Sequence, residues 1–323
     1  MSQYPTMVSR AKEYLKHRRA LGFALDSSGK LLLEFARFVD RSGHGGGGPL
    51  TAVLALRWAS LPKTASPRYR AGRLSIVRVF ARYLAAQDGV SEVPDRRLLS
   101  KNYYRLQPHI YSDRQLRELV LAAAKLQPTY RLRPLTYSTL FGLLASTGLR
   151  VSEALRLNKD HVDLARGILR IEQTKFRKSR LVPLHASVAQ ALRRYARERD
   201  RDPQAGHSDA FFVGGHGQVL PYRTVQHTFR RLCSQLGWHS NGMLPNPRIH
   251  DLRHSFACRR LLRWYQQGVN VDHAISALST YLGHGKVTDT YWYLTGTPQL
   301  LSTAARRFER FAEPSAGGDH EKA

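Results

Sequence analysis

Hydrophobic residues in the first ninety positions recur at the three- and four-residue spacing of amphipathic helices. The pattern predicts four helices, over residues 6–22, 28–42, 51–60 and 67–87, and a glycine-rich loop at residues 43–49. Basic side chains surround the apolar face of the fourth helix, at Arg70, Arg73, Arg78 and Arg82. A small helical unit with basic faces follows from this pattern.

The periodicity is lost over residues 89–112, which contain prolines and several basic residues. Such a stretch is typical of a linker between domains. We therefore expect an N-terminal domain at residues 1–105, with a linker to about residue 112, and a second domain at residues 113–312. Residues 313–323 are predicted to be a disordered tail.

The second half of the chain mixes helices with a few short strands. Two strands, at residues 168–172 and 180–184, flank a basic hairpin tip, and a further short strand is expected near residues 210–213. Helices are expected over residues 113–126, 134–147, 186–199, 222–237, 271–282 and 298–312, and around His250. The predicted fold class is mainly α with a small β-hairpin or sheet, an α+β arrangement.

The excess of basic residues indicates what kind of partner the chain binds. The chain has 323 residues, 51 Lys and Arg, 24 Asp and Glu, and a formal net charge of +27, which favours nucleic acid as the partner. Residues 1–105 hold 19 basic and 7 acidic residues, and the remainder 32 and 17. Both halves are therefore expected to contact the polyanion. A structural basic protein is the alternative, but such chains are usually shorter and poorer in tryptophan and tyrosine.

Cysteine usage and hydropathy bear on the compartment. The two cysteines, Cys233 and Cys258, lack metal-ligand spacing and predict no disulfide framework. No run of about 18 apolar residues and no apolar leader segment is found, so we expect a cytoplasmic protein without a membrane partner.

Residues 248–257, Arg-Ile-His-Asp-Leu-Arg-His-Ser-Phe-Ala, are the first candidate site. In a helix, His250 and Arg253 would lie on one face, where a fixed cation beside an imidazole suits a phosphate that must be held and must exchange a proton. A basic helix with a core histidine is the alternative. A two-ligand metal site is disfavoured, because no obvious third ligand follows His254.

Two further stretches stand in order around this one. Ser-Thr-Gly-Leu-Arg-Val-Ser-Glu-Ala-Leu occupies residues 146–155, and Tyr-Leu-Gly-His-Gly-Lys-Val-Thr-Asp-Thr-Tyr-Trp-Tyr occupies residues 281–293. Together the three resemble the catalytic boxes of the tyrosine recombinases, the phage-integrase family, over residues 110 to 312. The resemblance implies a helical core-binding domain, whose basic faces contact DNA phosphates, and a catalytic domain that closes with it around DNA as a C-shaped clamp.

The resemblance also implies a reaction. A tyrosine hydroxyl attacks a DNA phosphodiester, forms a 3′-phosphotyrosyl bond and releases a 5′-hydroxyl, without a metal, ATP or another cofactor. Arg150 and Arg253 match the two arginines that hold the phosphate, and a guanidinium keeps its proton. His250 would assist proton transfer, and His284 would hydrogen-bond a phosphate oxygen. Glu153 would orient the site, or could equally be a plain helix pair with Arg150.

The leaving 5′-oxygen needs a proton, which a lysine on the hairpin can supply. Residues 174–184 resemble the family's Gly-Lys-Gly-x-Lys-x-Arg-x-Val-Pro-Leu hairpin, and the match assigns this role to Lys175, with Lys178 as the alternative. Thr174 and Phe176 replace the usual glycines, so we expect a stiffer hairpin tip.

Three tyrosines compete for the role of nucleophile. The family spacing favours Tyr293, which lies nine residues after His284 and three after Thr290. Tyr291 is the alternative and would otherwise be a packing residue. Tyr281 precedes His284, where the family has core residues.

The leading prediction is a site-specific DNA recombinase of the integrase or transposase type. A non-catalytic DNA-binding accessory factor and a type IB topoisomerase are the alternatives. Residues 275–284 and 290–294 resemble recombinases of transposon-borne modules. The expected partners are double-stranded DNA, further copies of the chain (a dimer to a tetramer) and, as an open alternative, sister recombinases. The apolar stripe of residues 300–311 could pack on its own domain or on a neighbouring protomer.

Overall fold

The computed structural model describes residues 5–44, 48–99, 107–127, 132–172, 179–240 and 246–294. The chain divides into two compact units, residues 1–105 and 106–323, and each is described by itself. The architecture is mainly helical with one small antiparallel sheet, which confirms the predicted fold class.

The N-terminal unit consists of four helices around one apolar core. These are α1 (Met7–Ala20), α2 (Asp26–Val39), α3 (Ala52–Ser60) and α4 (Pro67–Asp88), with a turn at Asp40–His44 in which Gly43 has a φ of +76°. Hydroxyl side chains accept hydrogen bonds from the first turns of three helices, at Thr6, Thr51 and Ser66, as helix starts require. Four large side chains share the core: Phe35, Trp58, Leu74 and Phe80.

The segment after α4 is fixed to this unit. The Glu92 backbone N–H donates to the Leu50 carbonyl at 2.7 Å, and Arg78 donates to the carbonyls of Pro94 and Asp95 at 2.8 and 2.9 Å. The prediction of a linker from residue 89 onward is therefore wrong for this part of the segment. Its backbone groups are satisfied by the helical unit.

Two of the basic residues predicted to contact DNA lie inside the N-terminal unit. Arg73 is 7% exposed, with its guanidinium carbon 3.6 Å from the centre of the Trp58 ring and an N–H donated to the Trp58 carbonyl at 3.1 Å. Arg78 is 9% exposed. The expectation of phosphate contacts is wrong for both, because their donors bind carbonyls of the unit itself.

The C-terminal unit has eight further helices among the described residues: α5 (Asp113–Ala123), α6 (Arg133–Thr147), α7 (Val151–Leu155), α8 (Ala186–Arg201), α9 (Tyr222–Gln235), α10 (Asp251–Gln266), α11 (Val271–Leu282) and α12 (Thr288–Tyr291). A 3₁₀ turn at Lys159–His161 precedes the sheet. Ser112 caps α5 in a capping box with Gln115. Helix α6 packs against α5, α8 and α10.

The sheet contains three antiparallel strands in the order β1 (Val162–Asp163), β2 (Ile168–Ile171) and β3 (Arg180–Pro183). Leu169 pairs with Val182, and both side chains enter the core. The two-residue strand β1 was not predicted. Instead of the short strand expected near residues 210–213, two isolated bridges join Ala210 to Asn158 and Val213 to Val219.

The end of α6 rests on α10. Gly148 ends α6 with a φ of +64°, and a Cβ at this position would lie 2.5 Å from the Phe256 ring. Glycine is therefore required for both the backbone conformation and the close approach. This contact brings the start of α7, with Arg150, next to the first turn of α10, with Arg253.

Candidate active site

Arg150 lies immediately before α7 and is held by Glu153 in the first turn of that helix. The Glu153 carboxylate accepts from the Arg150 backbone N–H at 3.0 Å and from its guanidinium at 2.7 Å. A second terminal nitrogen of Arg150 donates to the Gly283 carbonyl at 3.0 Å. Glu153 therefore orients Arg150, rather than forming a plain surface pair, because both bonds fix the guanidinium at the start of the helix.

Arg253 lies in the first turn of α10 and is almost fully enclosed. Its guanidinium donates to the Gly148 carbonyl at 2.8 Å and to the Leu282 carbonyl at 2.7 Å. Burial lowers the pKa of Arg253 to about 10, although the nearby Tyr293 hydroxyl acts in the opposite direction. Arg253 therefore remains a cation near pH 7.

Helix α11 ends in a Schellman motif. Gly283 has a φ of +70°, its N–H donates to the Thr280 carbonyl, and the His284 N–H donates to the Ser279 carbonyl, both at 3.0 Å. The carbonyls of the next three residues, 281–283, accept no hydrogen bond within the motif and can bind other donors. Each accepts from one arginine, and the pairs are Tyr281 with Arg180, Leu282 with Arg253, and Gly283 with Arg150.

Arg180, the first residue of β3, also binds Glu153. Its two terminal nitrogens donate to the two carboxylate oxygens at 3.2 and 2.8 Å. Burial alone would raise the pKa of Glu153, but the hydrogen bonds and charge of Arg180, followed by the bonds from Arg150, lower it to about 2. The carboxylate is therefore ionised over the whole physiological range.

His284 follows the Schellman glycine and faces the same cluster. Its Nδ1 lies 2.7 Å from the hydroxyl of Thr290, which is fully buried. Burial and then the charges of Arg253 and Arg150 lower the pKa of His284 to about 4. The ring is therefore neutral near pH 7, and a Thr290 hydroxyl that donates to Nδ1 leaves Nε2–H available to another acceptor.

Tyr293 lies among the histidines. Tyr293 is 3% exposed, and its ring centre lies 5.3 Å from that of His254 and 5.9 Å from that of His284. Tyr291 is 44% exposed, so the prediction that it is a packing residue is wrong. Tyr281 stacks on Phe256 with a ring separation of 5.6 Å, consistent with a packing role.

His250 occupies the position just before α10, at the solvent-facing rim of the cluster. Neighbouring protein atoms and the charge of Arg253 lower the pKa of His250 below its usual value. A neutral imidazole can accept a proton, as a general base must. The structure therefore gathers Arg150, His250, Arg253, His284 and Tyr293 in one unit, whereas Lys175 and its alternative Lys178 lie outside the described residues.

Comparison with known proteins identifies the family. Residues 112–299 match the phage integrase family, more than half of the chain. The chain belongs to this family of tyrosine recombinases. The integrase/recombinase y4rB of Sinorhizobium fredii is 40% identical over 311 residues, which are 94% of this chain and 98% of the relative. The tyrosine recombinase XerC of Chlorobaculum parvum is 28% identical over 250 residues, 72% of this chain and 70% of the relative.

Solved structures share the fold of this tyrosine recombinase. The integrase of transposon Tn1549 in complex with transposon right end DNA has a TM-score of 0.68 and 17% identity, and the alignment covers 95% of this chain and 99% of that one. The XerH site-specific recombinase bound to difH has a TM-score of 0.65 and 20% identity, over 94% and 85%. The predicted enzyme class, a tyrosine-type DNA breaking and rejoining enzyme, is confirmed at the level of the family.

Two further residues of this tyrosine recombinase site have no role that the sequence patterns predict. Arg180 lies in the predicted hairpin, and Thr290 lies three residues before Tyr293. Within the described ranges, no three His, Cys, Asp or Glu side chains lie together as metal ligands, and no helix is long and apolar enough to cross a membrane.

Proposed function

We propose that the chain is a site-specific DNA recombinase that cleaves and rejoins DNA through a 3′-phosphotyrosyl bond to Tyr293, without a metal ion or ATP. The observation that carries the proposal is the position of Tyr293. Its ring is enclosed beside His284 and His254, and its hydroxyl interacts electrostatically with Arg253. A potential nucleophile thus lies next to a buried cation.

The two arginines supply the charge that the reaction requires. A phosphate attacked by an oxygen nucleophile gathers negative charge on its non-bridging oxygens. Arg150 and Arg253 retain N–H groups besides those bound to carbonyls and to Glu153, because a guanidinium has five. These groups would bind the non-bridging oxygens, and the neutral His284 would donate its Nε2–H to one of them.

Proton transfers complete the step. As the Tyr293 oxygen bonds to phosphorus, its proton passes to His250, and the bond from phosphorus to the 5′-oxygen breaks. We assign protonation of the leaving oxygen to Lys175, with Lys178 as the alternative. A 5′-hydroxyl from the partner strand reverses these events, so the phosphodiester energy is kept in the phosphotyrosyl bond and no ATP is consumed.

Tyr293 is a better candidate than Tyr291 on the geometry of their surroundings. Tyr291 is 44% exposed, whereas Tyr293 contacts the rings of two site histidines. Residues 290–293 form the segment that carries both tyrosines, and the Thr290 hydroxyl hydrogen-bonds His284. This bond attaches the segment to the arginine cluster, close to Tyr293.

The wider assignment follows the charge and the family. We propose residues 1–105 as the core-binding domain and residues 113–312 as the catalytic domain, each with excess positive charge to bind duplex DNA. Recombination joins two DNA sites, so we expect dimers to tetramers of the chain on DNA, in the cytoplasm. The integrase of transposon Tn1549 shares the fold, which supports a mobile-element role.

The test is a trap for the covalent intermediate. The wild-type protein is incubated in EDTA with duplexes that carry the ends of its own element and a nick near the cleavage site, and a denaturing gel reports covalent protein–DNA bands. Loss of the short nicked fragment prevents rejoining, so cleaved product accumulates. We expect a band with wild type.

Tyr293→Phe and Tyr291→Phe form a matched pair, since each removes one hydroxyl from neighbouring tyrosines. We expect the band to disappear only in Tyr293→Phe. A band that persists in Tyr293→Phe and disappears in Tyr291→Phe would transfer the nucleophile to Tyr291. Tight binding of both proteins to the ends without any band would instead favour the accessory-factor function.

A further inference from the structure

We infer that the end of α11 aligns the arginines of this site, and that Arg180 is a positioning residue that binds the Glu153 charge and leaves Arg150 free for phosphate. The inference rests on the proposed function. It concerns a residue that does not touch the reacting atoms.

A helix end explains why the guanidinium groups converge. The last carbonyls of a helix have no partner inside it and carry a partial negative charge. The Schellman motif satisfies the carbonyls of Ser279 and Thr280. The next three successive carbonyls accept from arginines that come from three different segments: the start of α7, β3 and α10.

Arg180 differs from the other two arginines in how its donors are used. Its Nε binds the Tyr281 carbonyl at 2.7 Å, and both terminal nitrogens bind Glu153. Its side chain is 10% exposed, against 26% for Arg150. A Cβ at Gly283 would lie 2.7 Å from an Arg180 nitrogen, so the guanidinium packs directly on the glycine. All three guanidinium nitrogens of Arg180 therefore bind acceptors of the protein itself.

The carboxylate provides the link to Arg150. Glu153 is buried, ionised and bonded to both arginines, with a bidentate contact to Arg180 and a single side-chain contact to Arg150. Without Arg180, a buried carboxylate would have Arg150 as its main cation partner, because a buried charge requires one. The positive charge of Arg150 would then be neutralised by Glu153 instead of by the phosphate.

The test is a rescue experiment on the full chain. Arg180→Met, Glu153→Gln and the double variant are compared in the nicked-duplex assay at saturating DNA, with thermal melting and half-site binding measured in parallel. Arg170→Met is the matched control, since Arg170 lies on the adjacent strand β2 and pairs with Asp160 and Glu172. If Arg180→Met does not fold, Arg180→Gln replaces it, because an amide can still donate to the carboxylate.

We expect Arg180→Met to slow covalent-complex formation by about 100-fold, the scale of losing one electrostatic contact to the transition state. Half-site binding should change by less than about threefold, because phosphate contacts elsewhere supply most of the affinity. The double variant should form the complex at least about tenfold faster than Arg180→Met, because removing the carboxylate charge releases Arg150. Arg170→Met should match wild type.

Two results overturn the inference: a double variant as slow as Arg180→Met or slower, or an Arg180→Met rate within about threefold of wild type. The first result would indicate a purely structural role. Failure of the proposed function is recognised separately, by wild-type protein that forms no covalent complex or by a complex that survives Tyr293→Phe.

Discussion

Each unit of the molecule buries arginines against backbone carbonyls, but the arginines of the candidate site also converge on one helix end. In the N-terminal unit, Arg73 binds the Trp58 carbonyl and stacks on its ring, and Arg78 binds the carbonyls of the segment after α4. In the C-terminal unit, Arg150 and Arg253 meet Arg180 at one helix end. Burial of an arginine is common to both units, whereas convergence is found at the candidate site.

This difference distinguishes arginines that stabilise the fold from those that we propose to bind phosphate. A buried guanidinium with carbonyl partners loses part of its hydration and regains hydrogen bonds, which stabilises the local fold. Several guanidinium groups at one point repel each other, and such an arrangement is costly without an anion. In the C-terminal unit, Glu153 provides one negative charge against three arginines. The remaining positive charge suits a bound phosphate.

The strongest test of the comparison is Arg253→Lys. Lysine keeps the charge but loses the planar fork that reaches the Gly148 and Leu282 carbonyls together with a phosphate. We expect covalent-complex formation to fall by about 100- to 1000-fold, as for the loss of a preorganised donor. Single-turnover assays on the nicked duplex measure this rate.

Arg263→Lys is the control for that change, because Arg263 lies exposed on the same helix. We expect a rate within about twofold of wild type, since exposed substitutions rarely exceed a few tenths of a kcal/mol. A comparable loss in both variants would mean that α10 tolerates no change of this kind, and the distinction between structural and functional arginines would not hold for it.

Gly148→Ala is expected to have the next largest effect. The new Cβ would lie 2.5 Å from the Phe256 ring at a φ of +64°, so α6 and α10 must separate. We expect the free energy of unfolding to fall by about 3 kcal/mol, from left-handed strain and overpacking. Because the Gly148 carbonyl holds Arg253, the cleavage rate should fall as well.

Gly237→Ala isolates the backbone contribution. Gly237 has a φ of +72°, and nothing lies within 4 Å of a Cβ at that position. Denaturant unfolding should show a loss of about 1 kcal/mol, with an unchanged cleavage rate. Equal losses of stability in the two glycine variants would contradict the close contact between Gly148 and Phe256.

Sequence patterns predicted much of the fold because each pattern is local. The helices of the N-terminal unit begin within two residues of their predicted positions, and α5 begins at its predicted first residue, Asp113. The strand β1 has only two residues, too few to show a period. Arg73 and Arg78 border the apolar face of α4, and a long side chain at such a border can face either solvent or a carbonyl.

The residue types of the candidate site were predictable from the sequence. The groups that orient the site arginines were not. The resemblance to the family's catalytic boxes indicates Arg150, Arg253 and Tyr293, and the structure brings these three into one unit. The acceptors that orient the arginines are backbone carbonyls, which every residue has, so no side-chain pattern reports them. The bidentate contact of Arg180 with Glu153 joins residues 27 positions apart in the sequence and depends on the packing of β3 beside α11.

In the N-terminal unit, Arg73→Met tests whether a buried arginine that binds a carbonyl stabilises the fold without affecting cleavage. It removes a buried hydrogen bond and the contact with Trp58, so we expect the free energy of unfolding to fall by about 2 kcal/mol. Cleavage per folded molecule should stay near wild type. Urea unfolding measures the first quantity, and Arg82→Met, on an exposed position of the same helix, is the control.

The smallest expected effect is on the pH dependence of stability, through the lowered pKa of His284 beside the converging arginines. His284 has a pKa near 4, lowered by burial and by the charges of Arg253 and Arg150. Between about pH 4 and 6.5 the unfolded chain binds a proton at this histidine and the folded chain does not, so unfolding becomes easier as pH falls. His284→Trp has no titrating group there and should show a shallower decline.

We expect the two proteins to differ by about 1 kcal/mol in how much stability they lose between pH 6.5 and 4.5, a value reduced because His284 is partly exposed. Urea unfolding at a series of pH values measures this difference, and the other histidines cancel because both proteins contain them. Identical slopes would show that His284 titrates alike in the folded and unfolded chains, so the converging arginines would not depress its pKa. A slope that differs only above pH 6.5 would place its folded pKa above the unfolded one, which is the behaviour of a histidine beside an anion rather than beside three cations.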